Sequence, residues 1–207
     1  MYRLHGFFTQ NTLKPLYVLE ALEVDYEFRF VNLFERENFS EEFKRMTPVG
    51  KVPVLEHDGE FLFESGAICR YVANVENSPL YPQDKLQRAR VDQWMDFFTC
   101  HAGHWLSMLY FERVIKPRAG IGEPNADQCA KAEKFASEQL AVVDSWLGEH
   151  GHLANGQFSI ADLFAFAYLE QAPQVDFSLD GLTHLQSWYA KLDSSAAVQR
   201  ARERVKQ

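Results

Sequence analysis

Residues 47–71 read TPVGKVPVLEHDGEFLFESGAICRY, and the reading of this stretch decides the fold. Val54 to Glu56 is a short apolar run, Asp58-Gly59 is a strong two-residue turn signal, and Glu60 to Phe63 alternates polar and apolar. That pattern predicts an antiparallel hairpin. Pro53 stands just before the first strand, where a missing N–H is tolerable. Val52-Pro53 is an X-Pro bond suited to the cis form, with the N–H and C=O of Val52 turned outward to pair with an extended peptide. Glu64-Ser65-Gly66 then ends the hairpin, and Ala67, Ile68, Tyr71, Val72 and Val75 recur at helical spacing. Ser65 is the expected N-cap. A helix start offers free N–H groups and a positive dipole end to a carboxylate, and Glu64 beside it is placed to hold an ammonium. Carboxylate and ammonium a few ångström apart are one end of an amino acid.

Upstream, Tyr2 to His5 reads as a first strand and Thr9-Gln10-Asn11-Thr12 as a cluster of helix-start residues. Leu13, Leu16, Tyr17 and Leu22 follow on one helical face. A cap at Asn11 or Thr12 would put Pro15 in the first turn, where it is harmless. Tyr26 to Val31 reads as a second strand, and the mixed segment from Asn32 to Arg45 as a loop with a short helix around Ser40 to Lys44. Strand, helix, strand, helix, hairpin, helix predicts a mixed four-stranded sheet with helices on both faces, an α/β domain over residues 1–76.

Two prolines bracket the irregular crossing Asn77-Ser78-Pro79-Leu80-Tyr81-Pro82, so residues 77–84 read as a linker. Residues 85–207 carry no strand signal and predict an all-α bundle. Leu86 to Ile115 reads as one long helix, Asp127 to Leu147 as a second, and Leu182 to Leu192 and Ala196 to Val205 as helices that finish the bundle. Ser159-Ile160-Ala161-Asp162 opens another, with Ser159 as N-cap and Asp162 reaching back to the cap N–H. This is a folding device; Asp162→Ala is expected to cost about 1 to 2 kcal/mol and to leave ligand affinity alone.

The 207 residues suffice for one large domain or two small ones, and 46% hydrophobic content with 17 Phe supports an aromatic-rich core. A formal charge of −8, from 29 acids and 21 bases, argues against a nucleic-acid partner. Three cysteines without a C-x-x-C pair, and an N-terminus without a hydrophobic signal region, favour a reducing, cytoplasmic setting. No apolar run reaches the roughly 20 residues of a membrane span. His101 and His104 lie three apart without a carboxylate motif, so no metal is expected.

The string P-x-G-K-V-P-x-L, then D-G, then F-E-S-x-A-I-x-x-Y resembles the glutathione-binding half of the cytosolic glutathione S-transferases, and the resemblance extends over essentially the whole chain. It implies a thioredoxin-like N-terminal domain, a homodimer, and a detoxifying transferase with glutathione as co-substrate and no metal. It implies that Val52, before a cis Pro53, pairs with the cysteinyl backbone of glutathione, and that Glu64 and Ser65 hold its γ-glutamyl end. FSIADL is similar to the family's buried capping box. Asn38 and Lys51 match contacts to the glycyl end. Phe8, His101, His104, Trp105 and Met108 are the expected apolar wall for a second substrate, with Leu109 and Phe111 on the same helix.

A thiol of pKa about 8.5 is only a few per cent ionised at pH 7. Thr9, Asn11 and Thr12 are the donors available after the first strand to stabilise its anion. The stretch G-F-F-T-Q-N-T-L-K is similar to the family's phi-class pattern, in which Ser precedes Asn by two, with Thr9 on the Ser and Asn11 on the Asn. The Thr-x-Asn pair also resembles bacterial nu-like members, which implies glutathione-dependent disulfide reduction as an alternative. A relative that had lost catalysis would serve as an interaction module, yet Val52-Pro53 and Glu64-Ser65 are intact.

Overall fold

Gly6 closes the first strand because nothing larger fits: a Cβ there would lie 2.3 Å from Thr12 Cγ2. The first turn of the following helix is therefore pressed against the strand end. The computed structural model describes residues 1–205, which pack as two units, residues 1–81 with the segment from Ser194 onward, and residues 82–193.

In the first unit, β1 (Tyr2–Gly6), α1 (Gln10–Ala21), β2 (Tyr26–Phe30), α2 (Glu41–Met46), β3 (Val54–His57), β4 (Glu60–Phe63) and α3 (Ser65–Val75) follow in the expected order. The sheet order is β2-β1-β3-β4, with β1 parallel to β2 and antiparallel to β3, and β3 antiparallel to β4. The Asp58-Gly59 turn has φ of 52° and 85°, the left-handed pair that a two-residue hairpin needs. Period-two alternation assigns the faces. Leu4 and Leu55 pair on one face, whereas Val54 packs with Val31 and Phe43 of α2 on the other; α3 meets β3 and β4 and packs against α1. This is the mixed four-stranded, thioredoxin-like arrangement.

Two helix starts differ from the sequence reading. The cap of α1 is Thr9, not Asn11 or Thr12: its hydroxyl accepts from Thr12 N–H at 3.3 Å. Pro15 therefore lies inside the helix, where it removes one backbone hydrogen bond that tertiary packing must offset. The cap of α3 is Glu64 and not Ser65. Glu64 has φ 70° and ψ 113°, and Ser65 is the first helical residue.

In the second unit, α4 (Lys85–Cys100), α5 (Ala102–Tyr110), a π-helical turn (Phe111–Ile115), α6 (Lys116–Arg118), α7 (Ala126–His150), α8 (Ile160–Leu169) and α9 (Thr183–Asp193) follow. The single helix expected over 86–115 is broken at His101, at φ −128° and ψ −100°. The break suits the close approach at Gly103, where a Cβ would lie 2.5 Å from Phe98 O and 2.6 Å from the Tyr168 ring. Every residue of α8 is buried, so it forms the centre of this unit. The expectation that Ala196 to Val205 completes the bundle is corrected: α10 (Ala196–Arg204) packs on α1, in the first unit. Arg200 donates to the Glu20 carboxylate at 2.8 Å and to its carbonyl at 2.7 Å. Residues 206 and 207 of the expected C-terminal domain lie outside the described residues.

Candidate active site

Strand register gathers three separate stretches at one edge of the sheet. His5, Val54 and Phe63 form one row across β1, β3 and β4, and β1 and β4 run the same way with β3 reversed. The residues just past that row are therefore neighbours: Phe8 and Thr9 after β1, Val52-Pro53 before β3, and Glu64-Ser65 after β4. Val52-Pro53 is cis, as expected. The backbone N–H and C=O of Val52 have no hydrogen-bond partner among the described residues. A peptide laid along this edge finds there an acceptor and a donor.

The start of α1 holds the candidate sulfur donors in a defined network. Thr12 is fully buried, accepts from Phe7 N–H at 3.3 Å and pairs with the Thr9 hydroxyl at 3.2 Å, which removes it as a donor to a ligand. If Thr12 donates in that pair, Thr9 accepts two hydrogen bonds and keeps its own O–H to give outward. Asn11 is exposed; its Oδ1 accepts from Lys14 Nζ at 2.9 Å, and its Nδ2 has no partner among the described residues. Lys14, missed in the sequence reading, is 1% exposed. Burial pushes its amine well below the usual range, against the opposing pull of Cys69 and Glu64. Its spacing of three from Asn11 puts the two side chains on one side of the helix, but spacing alone does not mark the lysine as buried.

At the other end of the edge, Ser65 is 9% exposed and opens α3, while the Glu64 carboxylate is exposed. Asn38 is also buried, but its Nδ2 donates to Gly50 O at 2.7 Å, so it ties down the loop that carries the exposed Lys51. Burial pushes the Cys69 thiol up to about 12, which leaves it inert. Phe8, 52% exposed, forms an aromatic group with Phe7 and Phe30, at centroid distances of 5.0 Å to each. A cavity of about 570 Å³ on the α2 face, lined by Arg3, His5, Arg29, Phe30 and Glu56 among others, includes none of Phe8, Thr9, Asn11, Val52, Glu64 and Ser65.

His101, His104, Trp105 and Met108 lie in the second unit, on α5 and its cap. The two histidines are exposed, and Trp105 stacks on Phe135 of α7 at 4.8 Å, so part of that side chain is spent on helix packing. Leu109 is fully buried core. No group of three or more His, Cys, Asp or Glu that could hold a metal occurs among the described residues, and none of their helices is long and apolar enough to cross a membrane.

Comparison with known proteins matches residues 1–74 to the glutathione S-transferase N-terminal domain and residues 98–195 to the glutathione S-transferase C-terminal domain. The chain is 30% identical over 194 residues to glutathione S-transferase hmp2 of Hypomyces subiculosus, covering 86% of this chain and 92% of that one. Among solved structures it is similar to the theta class glutathione S-transferase of Xanthomonas axonopodis pv. citri with glutathione bound, with TM-score 0.88, 30% identity, and coverage of 97% and 96%. Glutathione transferase F7 from Populus trichocarpa shares the fold at TM-score 0.91 and 23% identity, over 99% of each chain. The chain belongs to the glutathione S-transferase family and is a glutathione transferase with both of that family's domains.

Proposed function

We propose that the protein binds glutathione along the edge formed by Val52, Glu64 and Ser65, and lowers its thiol pKa with Thr9 and Asn11 so that the thiolate attacks a small, largely apolar electrophile. The observation that supports this reading is the exposed Asn11, whose Nδ2 has no partner among the described residues, on the helix capped by Thr9 and beside the unpaired backbone of Val52. In this reading Val52 pairs with the cysteinyl backbone, and the α3 N-terminus with Ser65 receives the γ-glutamyl carboxylate while Glu64 takes its ammonium. Lys51 faces the glycyl carboxylate, with Asn38 holding its loop. The donors stabilise the anion, its sulfur forms a new bond to the electrophilic atom, and the displaced electron pair leaves with the departing group. Phe8, exposed just before the start of α1, offers an apolar surface to the electrophile.

A hydrogen bond to a charged group is worth roughly 1.5 to 3 kcal/mol, enough to lower a thiol pKa by about one to two units. Thr9→Ala and Asn11→Ala are therefore expected to cut kcat more than they raise KM for glutathione. Steady-state kinetics check this, and two fully active variants would move the donor elsewhere. Thr9 with Asn11, and the inert Cys69, also favour a second reading on the same site, reduction of small disulfides by two glutathione molecules; comparing a disulfide substrate with an aryl halide separates the two. A homodimer in a reducing compartment completes the proposal. The exposed Phe61, Tyr71 and Val75 of β4 and α3 support an apolar contact, and cysteines without a disulfide suit the cytoplasm.

A further inference from the structure

We propose that Lys14 is a positioning residue for the reaction: its buried side chain holds Oδ1 of Asn11 and so turns Nδ2 toward the thiol of glutathione. This rests on the functional reading above. The geometry gives the direction: the Lys14 amine lies 2.9 Å from the amide oxygen of Asn11 and donates to it. The atom it faces is the amide oxygen, and the NH₂ must point away from the protein interior. That NH₂ is left without a partner among the described residues, on an exposed residue at the second position of α1. A free asparagine amide flips readily between donor and acceptor faces. Presented oxygen-first it would repel a thiolate instead of stabilising it.

Burial makes the arrangement costly unless it serves something. A lysine amine at 1% exposure loses its hydration, a cost that hydrogen bonds must offset. A Leu or Met on this helix face, between Leu13 and Leu16, would pack without that penalty. Glu64 and Cys69 act on Lys14 electrostatically. The amine thus lies near both the sulfur donor and the acid proposed to hold the γ-glutamyl end.

The test uses full-length protein and the absorbance of bound glutathione thiolate against pH, with KM, kcat and urea unfolding in parallel. Lys14→Met removes the donor at similar length. The bound thiol pKa is expected to rise by about one unit and kcat at neutral pH to fall about tenfold, with KM for glutathione little changed. Lys14→Gln still donates to Asn11 and is expected to recover part of both. In an Asn11→Ala background Lys14→Met is expected to add nothing. A folded Lys14→Met protein with the wild-type thiol pKa overturns the assignment, as does an undiminished effect in the Asn11→Ala background. Should the variants not fold, the Asn11 side-chain NH₂ resonances of the wild type decide: a shift on adding glutathione supports the assignment and unmoved resonances overturn it. Wild-type protein whose bound thiol titrates like free glutathione overturns the functional reading itself, whereas a lowered wild-type pKa untouched by Lys14→Met overturns only the role of Lys14.

Discussion

Glu64 sits in a backbone conformation that residues with a Cβ rarely adopt, at φ 70°, and such a residue costs about 1 to 3 kcal/mol. It persists because β4 and α3 fix the chain on either side, leaving one residue to make the turn. The cost is borne where the carboxylate is proposed to meet an ammonium. Glu64→Gln keeps the shape and removes the charge, so glutathione Kd is expected to rise about tenfold with no shift in thermal midpoint. Calorimetric titration beside a thermal scan checks both. Glu64 and Ser65 were legible in the sequence because the Asp58-Gly59 turn fixes the hairpin length. The cap itself was misplaced by one residue, since a positive φ at glutamate leaves no mark in a propensity. Lys14 was illegible for a different reason: a lysine in a second helical turn looks solvated until the packing of α1 is known.

At the level of elements, α8 depends on Asp162. Its carboxylate, wholly buried, accepts from Ser159 N–H at 2.9 Å, Ser159 Oγ at 3.1 Å, Leu153 N–H at 3.1 Å and Trp188 Nε1 at 2.9 Å. The capping box read from the sequence is present, but Leu153 and Trp188 join it from the turn before α8 and from α9. The cost of Asp162→Ala is therefore revised upward to about 3 to 5 kcal/mol, because four buried donors lose their acceptor. Urea unfolding checks this, and glutathione affinity is expected to hold in whatever fraction folds. His152 lies 3.5 Å from the same carboxylate, which raises its pKa against the opposing effect of burial. A pKa raised on folding stabilises fully below the unfolded value near 6.5 and is lost as pH rises through the folded value. Unfolding free energy is expected to fall between pH 6 and 8, and His152→Gln to flatten that slope. Helix periodicity found α4 and α5 but not the break between them. Only the packing of Gly103 against Phe98 and Tyr168 reveals it.

Across the whole molecule, the mixed four-stranded sheet and the helical second half followed from the alternation of β3 and β4, the helical spacing after Ser65 and the strand-free run beyond Pro82. The last helix did not. Nothing in its spacing marks α10 as a partner of α1, and the link is made by Glu20, 6% exposed, which accepts from Tyr26 at 2.6 Å as well as from Arg200. Arg200→Ala is expected to cost about 1 to 2 kcal/mol and to speed amide exchange in α1 first. Because α1 also carries Asn11 and Lys14, and Thr9 caps it, the C-terminal helix braces the helix at whose start the sulfur chemistry is proposed. The most direct test of that chemistry is the ultraviolet absorbance of the thiolate of bound glutathione, followed from pH 5 to 10. A bound thiol titrating one to two units below its free value near 8.5 is expected from the donors at the start of α1; a thiol that titrates as it does in free solution would contradict their role.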